Sequence, residues 1–209
     1  MRWTGTGIAV VAVAVLSVAA CGTSKPGVFH PAGAEVATAP SSSAPGSASR
    51  VAGFLFPPGY TVDFSTPLPA SASKRHVITA LEDQQAAFRY ALYVKAGDDQ
   101  YLRRTEANAA PTFEAIASRV RSGHFGERGV IRYSDITLSG PIYSFPSGSG
   151  AAGSFCLSTG DARDFDTSTG KTVPAVIPGG SYQFAMHKDP GGTWEVAHLQ
   201  KGSASSCSH

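Results

Sequence analysis

The sequence predicts an α+β domain whose helices come first and whose strands follow them. Apolar residues recur at helical spacing between residues 71 and 122, whereas alternating and β-branched patterns occupy residues 130–198. The chain has 209 residues, 42% of them apolar and 15% charged, so it is large enough to bury one core. Helices followed by strands favour a layer of helices packed on one face of an antiparallel sheet.

The folded part is predicted to begin near residue 51 with an extended arm. Residues 53–64 are rich in aromatic side chains and contain the pair Pro57-Pro58. Proline lacks a backbone donor and restricts the preceding residue to extended backbone, so a helix is disfavoured here. We expect the arm to pack on the domain.

Two helices separated by a short turn are predicted next. The first spans residues 71–97, ends at a glycine, and carries an apolar stripe interrupted by two glutamines. A short helical turn is expected over residues 99–105. Pro111 suits the first turn of a second helix, which ends near Gly123.

Strand patterns fill the rest of the chain. The first three candidates lie at residues 130–138, 141–145 and 154–158, and residues 172–177 are a weaker one. The last hairpin is the clearest, since residues 182–186 alternate opposite residues 194–198 across a turn at residues 189–192.

Several patterns that suggest phosphate or metal binding lack the context their chemistry needs. Residues 148–153 have the glycine spacing of a dinucleotide site, but a strand pattern follows, so we expect a flexible hairpin turn. The Gly-Lys-Thr at residues 170–172 lacks the first glycine of a phosphate loop. Asp161, Asp164 and Asp166 favour a solvated turn, with a weak calcium loop as the alternative. The histidines are dispersed, so neither a metal site nor a cofactor is predicted.

The N-terminus carries the most specific signal in the chain. An apolar run at residues 8–16 is followed by Val-Ala-Ala-Cys at residues 18–21. The run is shorter than the roughly 20 residues that span a bilayer, but it fits a secretory signal. Residues 1–20 look like a bacterial lipoprotein signal, which predicts acylation of Cys21 and attachment to the extracytoplasmic face of the cell membrane. The alternative is an ordinary signal peptide that leaves Cys21 unmodified.

A tether is predicted between this anchor and the domain. Residues 21–50 consist mainly of alanine, serine, proline and glycine, and cannot bury enough apolar area to offset the entropy of ordering. A flexible segment of this length spans about 30 Å on average. Residues 51–209 are left as a single domain.

The net charge limits the kinds of partner that the chain can bind, and the cysteine content indicates its cellular compartment. The net charge of +2 is too small for a nucleic-acid surface, so no nucleic-acid partner is predicted. If Cys21 is acylated, Cys156 and Cys207 form the one remaining pair, and an oxidising compartment favours a disulfide between them. Two free buried thiols are the alternative.

The order of elements resembles the NTF2-like fold, a cone in which N-terminal helices pack on a curved antiparallel sheet. More closely, the chain is similar to a group of actinobacterial secreted lipoproteins with an NTF2-like domain and no assigned activity. The segments that carry this resemblance are Pro-Pro-Gly-Tyr-Thr-Val at 57–62, Phe-Cys-Leu-Ser-Thr at 155–159, Thr-Gly-Lys at 169–171, Gly-Thr-Trp-Glu-Val at 192–196, and Cys207. The resemblance implies a Cys156–Cys207 bridge and no catalytic residues.

A pocket inside such a cone is the sharpest site hypothesis. Because side chains alternate along a strand, His198 is predicted to share a face with Trp194 and Val196, and Tyr182 would lie opposite. By the same alternation Asp135 is predicted to share a face with Tyr133. His198 paired with Tyr133 or Asp135 would then form an acid–base pair, whereas a structural histidine is the alternative.

These observations favour a non-enzymatic lipoprotein that is anchored in the membrane and binds an envelope protein or a small apolar ligand. Two alternatives remain open. One is an isomerase, dehydratase or hydrolase that uses a cone pocket several hundred Å³ in volume, which ionisable groups would line. The other is a structural subunit of an envelope complex, which would expose a wide apolar patch.

Overall fold

A computed structural model describes residues 53–145, 148–203 and 207. The predicted signal peptide at residues 1–20, the acylation of Cys21 and the tether at residues 21–50 lie outside these described residues. Among the described residues, no helix combines the length and apolar character that crossing a membrane requires.

The described chain is a mixed α+β structure. Its helices are α1 (Ala72–Tyr93), a 3-10 helix (Gln100–Arg104) and α2 (Ala110–Ser122). Its strands are β1 (Tyr60–Phe64), β2 (Phe125–Leu138), β3 (Tyr143–Phe145), β4 (Gly148–Asp166), β5 (Thr172–Val173), β6 (Gly180–Lys188) and β7 (Trp194–Lys201).

The seven strands form one curved, open sheet in the order β1-β2-β4-β6-β7, with β3 and β5 paired to parts of β4. The prediction of a wholly antiparallel sheet is wrong at its first edge, where β1 runs parallel to β2. Parallel neighbours need a long crossover connection, and the helices between Phe64 and Phe125 supply it. The predicted arm therefore contributes a strand, because the backbone of β2 offers it hydrogen-bonding partners from Gly129 to Tyr133.

Strand β4 is the centre of the sheet and is longer than predicted. It includes residues 148–153, predicted as a turn, and Asp161 to Asp166, predicted as a solvated turn. Both predictions are wrong, because β2 and β6 pair with β4 over most of its length. Close packing requires a glycine at position 153, because a Cβ there would collide with the Thr137 carbonyl oxygen and with the Phe184 ring.

The helices cover one face of the sheet and bury an aromatic core. The Phe88 ring of α1 meets the Phe113 ring of α2 edge to face with centroids 4.9 Å apart, and lies 5.2 Å from the Tyr101 ring of the 3-10 helix. On the sheet, the rings of Phe155 and Tyr182 stack at 5.4 Å. Such aromatic pairs add to the energy of area burial and fix the layers against each other.

A disulfide joins Cys156 of β4 to Cys207, the two cysteines that the sequence pairs once Cys21 is set aside. Their Cα atoms are 5.6 Å apart and they are separated by 51 residues. In the chain-entropy account, a cross-link of this span stabilises the folded chain by about 4 kcal/mol. The bridge therefore ties the end of the chain to the central strand.

Candidate functional site

A pocket with a volume of about 100 Å³ lies between the helices and the inner face of the sheet. Its apolar walls come from both helices and from strands β4 and β7, and include Phe88, Ile116, Phe155, Leu157 and Leu199. Four further residues, Gln85, Arg89, Tyr133 and Tyr182, bring polar groups to it. Since small-molecule sites are typically apolar clefts with a few placed polar groups, this pocket is the candidate functional site.

A buried ion pair lies at the polar side of this pocket. The Arg89 side chain of α1 is 1% exposed and that of Glu127 in β2 is 4% exposed. Arg89 Nη1 donates to Glu127 Oε2 at 3.0 Å, and Arg89 Nε donates to the Tyr133 hydroxyl at 3.1 Å. The Tyr60 hydroxyl of β1 donates to Glu127 at 2.7 Å. One guanidinium thus connects α1 with the first two strands.

Hydrogen bonds extend from the ion pair along the inner face of α1. The Tyr133 hydroxyl donates to Gln85 Oε1 at 3.3 Å, and Gln85 Nε2 donates to Gln84 Oε1 at 2.8 Å. Gln84 Nε2 then donates to the Thr105 hydroxyl at 3.1 Å, which fixes the end of the 3-10 helix against α1. Buried amides whose hydrogen bonds are all made in this way favour a single packing arrangement of the core and do not destabilise it.

A second carboxyl group lies beside the ion pair. Asp164 of β4 is the register partner of Glu127 across the β2–β4 ladder, and its Oδ2 accepts a hydrogen bond from the Val176 backbone N–H at 2.5 Å. Burial raises the pKa of Asp164 to about 6, and the Glu127 charge adds to this, while the Val176 N–H acts in the opposite direction.

Asp164 and Tyr182 hold the loop that forms one wall of the pocket. Val176, Ile177 and Pro178 line the pocket from this loop. The Tyr182 hydroxyl donates to the Pro178 carbonyl oxygen at 2.6 Å, and Asp164 accepts from Val176. Both ends of the wall are therefore fixed to strands of the sheet.

The buried phenols keep their protons, and Arg89 keeps its charge. Burial raises the pKa of Tyr60 well above its ordinary value, and it also raises that of Tyr133. Burial alone lowers the pKa of Arg89, but Tyr133 and Glu127 more than offset this, so that the net pKa rises. The tyrosines therefore act as hydrogen-bond donors at neutral pH.

Three buried polar atoms in this region have no hydrogen-bond partner among the described residues. They are Arg89 Nη2, the Tyr93 hydroxyl oxygen and Asp164 Oδ1. An unpaired buried donor or acceptor is costly, so such atoms are rare in the core of a folded chain. Of the three residues, only Arg89 lines the pocket.

The structure brings two of the five predicted pocket residues together and separates the other three. Tyr133 and Tyr182 line the pocket. Trp194 is buried but lines a different surface crevice, beside α1 and the 3-10 helix. Asp135 and His198 are exposed, and neither lines the pocket. The predicted acid–base pair is therefore not assembled.

The predictions for Asp135 and His198 are wrong because both strands contain β-bulges. The β2–β4 register shifts between Ser134 and Thr137, and Asp135 has a positive φ of 53°. In the last hairpin Val196 lies opposite Met186 but His198 lies opposite Ala185, so one extra residue separates them. A bulge reverses the alternation that follows it, so His198 turns outward and Leu199 turns inward.

Sequence reasoning missed the groups that dominate the site: Gln85, Arg89, Glu127 and Asp164. A signal was present, because Gln85 and Arg89 lie one helical turn apart on the stripe that carries Phe88. Polar residues within an apolar stripe indicate buried hydrogen bonds. Glu127 gave no such signal, since it lies before the predicted start of its strand.

Among the described residues, no histidine or cysteine lines the pocket, and the Arg89 charge is engaged by Glu127. Within the same residues, no group of three histidine, cysteine, aspartate or glutamate side chains is placed to hold a metal ion.

Removing both partners of the ion pair should lower the free energy of unfolding less than removing Arg89 alone. Arg89→Met leaves a buried carboxylate uncompensated, and we expect it to lower the free energy of unfolding by about 3–5 kcal/mol. The double variant Arg89→Met/Glu127→Gln should recover most of that loss, because neither charge is then left alone. Urea denaturation followed by circular dichroism measures both. Additive losses in the double variant would contradict this account.

Stability should depend on pH through Asp164. Its pKa in the folded chain is about 6, which is above that of an unfolded aspartate. At pH values between these two, the folded state therefore binds more protons than the unfolded state. The Asp164 contribution is therefore complete below the unfolded value and is lost as pH rises through about 6, by roughly 1–2 kcal/mol once solvent screening is allowed for. Asp164→Asn keeps an acceptor for Val176 and should remove this pH-dependent part, as urea denaturation between acidic and neutral pH would measure. Parallel pH profiles for the variant and the parent chain would disprove it.

No protein-family model and no curated protein matches this chain. Among solved structures, the chain is similar to the intermembrane space region of the chloroplast protein ARC6, with a TM-score of 0.45 and 6% identity over 64% of this chain and 97% of that one. It is also similar to a structure from Catenulispora acidiphila, with a TM-score of 0.37 and 12% identity over 62% of this chain and 92% of that one. At these levels neither likeness carries an argument about family or function.

Proposed function

We propose that this chain is a membrane-anchored extracytoplasmic lipoprotein whose NTF2-like domain binds a small apolar ligand without catalysing a reaction. The observation that carries the proposal is the pocket of about 100 Å³ between the helices and the sheet, apolar on most sides and bounded by the Arg89 network. A long helix packed on a curved sheet, with a pocket between the two layers, supports the NTF2-like assignment.

The size of the pocket favours a small ligand. An apolar cavity of about 150 Å³ holds benzene, whereas sites for drug-sized ligands run from about 300 Å³ upward. A pocket of about 100 Å³ is smaller than that cavity, but it opens at the surface, so one ring or a short aliphatic chain can extend through the opening. The cone-pocket enzyme needs a larger cavity and free ionisable groups, so the volume favours binding.

A partner protein and a structural role receive less support. The large apolar side chains exposed among the described residues are Leu55 and Tyr143, and neither lines the pocket. Two isolated side chains do not make the contiguous apolar patch that marks a protein–protein interface.

The disulfide and the lipoprotein signal support the proposed extracytoplasmic location. A structural disulfide such as Cys156–Cys207 persists in an oxidising compartment, which an extracytoplasmic domain occupies. The lipoprotein signal would supply the anchor at Cys21, and the tether would hold the domain about 30 Å from the membrane surface on average.

Acylation of Cys21 predicts a change of location on substitution. Cys21→Ser removes the acceptor of the lipid, so we expect the chain to move from the membrane fraction to the soluble fraction and to lose palmitate labelling. Immunoblotting of the fractions and metabolic labelling with a palmitate analogue measure this. Cys156→Ser/Cys207→Ser is the matched control, because it changes two cysteines that the lipid does not need. Membrane retention of the Cys21→Ser chain would contradict the lipid anchor.

Blocking the pocket should abolish ligand binding. We expect α-methylstyrene, a small aromatic hydrocarbon, to bind the chain saturably in ligand-observed NMR titrations. Ile116→Trp places a larger side chain at the pocket wall and should weaken binding by about tenfold or more. Ile142→Trp changes a half-buried isoleucine outside the pocket and should bind like the parent chain. An absence of saturable binding, or equal effects of the two variants, would disprove the proposed site.

A further inference from the structure

We propose that the ligand of this pocket is neutral and carries a single hydrogen-bond acceptor, such as a ketone or amide oxygen, which pairs with Nη2 of Arg89. This inference rests on the proposed function, since it names the chemical class of the ligand for the same site.

The donor is identified by elimination within one side chain. Arg89 Nε donates to the Tyr133 hydroxyl and Nη1 donates to the Glu127 carboxylate, whereas Nη2 has no acceptor among the described residues. The side chain is 1% exposed and lines the pocket. A buried guanidinium N–H without a partner gains a charge-assisted hydrogen bond when a ligand offers an oxygen.

The other side-chain polar atoms of the pocket named above already have a hydrogen-bond partner, which leaves Nη2 as the atom there that gains most from a ligand acceptor. The Tyr133 hydroxyl accepts from Arg89 and donates to Gln85, and the Gln85 amide donates to Gln84. The Tyr182 hydroxyl donates to the Pro178 carbonyl oxygen. A ligand with more polar groups would bury some of them unpaired, which costs affinity.

Charge balance selects a neutral acceptor over an anion. The positive charge of Arg89 is matched by Glu127 at 3.0 Å, and the Asp164 carboxyl group lies beside Glu127. A carboxylate ligand would bring a further negative charge to a buried region whose one guanidinium is already neutralised. Uncompensated buried charge is strongly unfavourable, so a carbonyl oxygen fits where a carboxylate does not.

The aromatic walls of the pocket favour a ligand whose apolar part is a ring. Phe155 and Tyr182 stack against each other at 5.4 Å, and Phe88 lines the pocket from the helix layer. Aromatic walls make stacked and edge-to-face contacts with an aromatic guest. Acetophenone, a phenyl ring with one carbonyl oxygen, therefore represents the predicted class.

Three probes of nearly the same shape test this inference. Acetophenone has the acceptor, α-methylstyrene replaces its oxygen with a carbon, and benzoate carries a negative charge. We expect acetophenone to bind the Cys21→Ser chain, which keeps every other residue, about tenfold or more tightly than α-methylstyrene at neutral pH. Benzoate should bind at least about tenfold more weakly than acetophenone. Ligand-observed NMR titrations give the three dissociation constants.

Two variants assign the donor. Arg89→Met/Glu127→Gln removes both charges together and should bind acetophenone and α-methylstyrene with affinities within about twofold of each other. Tyr93→Phe removes a second unpartnered buried group that does not line the pocket, and it should keep the preference for acetophenone. Loss of that preference in Tyr93→Phe would overturn the assignment to Arg89, and this comparison stands even if the double variant fails to fold.

The outcomes separate the inference from the function on which it rests. Equal binding of acetophenone and α-methylstyrene to the Cys21→Ser chain would overturn the inference and leave the apolar binding site in place. Tighter binding of benzoate would overturn the neutral class. Failure of all three probes to bind would overturn the proposed function and the inference with it.

Discussion

The buried pair of Arg89 and Glu127 is the contact on which the position of the long helix over the sheet depends. Each charge costs several kcal/mol to bury alone, so α1 and β2 must meet in the one register that pairs them. Tyr60 extends the same constraint to β1. A one-residue slip of β2 would leave a charge unpaired, and a slip of β1 would break the hydrogen bond from Tyr60 to Glu127.

The shape of the sheet then decides which side chains meet the helices. Bulges bend a strand and increase its local twist, and the described ladders contain three register shifts, two between β2 and β4 and one between β6 and β7. The shift between β6 and β7 turns Leu199 into the pocket and His198 out of it. A cavity that strict alternation would line with an imidazole is lined by an aliphatic side chain instead. That exchange leaves the predicted acid–base pair unassembled.

The pocket, the disulfide and the proposed anchor are consistent with one another. The pocket wall at residues 176–178 is held to the sheet by Asp164 and Tyr182, and the bridge holds the chain end to β4. The proposed extracytoplasmic location is one in which such a disulfide would persist. Nη2 of Arg89 has no partner among the described residues. In the proposed complex it donates a directional hydrogen bond to the ligand inside an otherwise apolar pocket.

The sequence by itself determined the α+β class, both helices to within a few residues, the final hairpin and the pairing of Cys156 with Cys207. The helices and the hairpin follow from periodicity and turn residues, which neighbouring residues along the chain express, whereas the cysteine pairing follows from the cysteine count once Cys21 is set aside. Only the tertiary structure decided that β1 pairs in parallel, that residues 148–153 form a strand, and that Asp135 and His198 face away from the pocket. Strand pairing and bulges depend on partners distant in sequence, and so does the burial of Arg89, which becomes favourable only where Glu127 meets it.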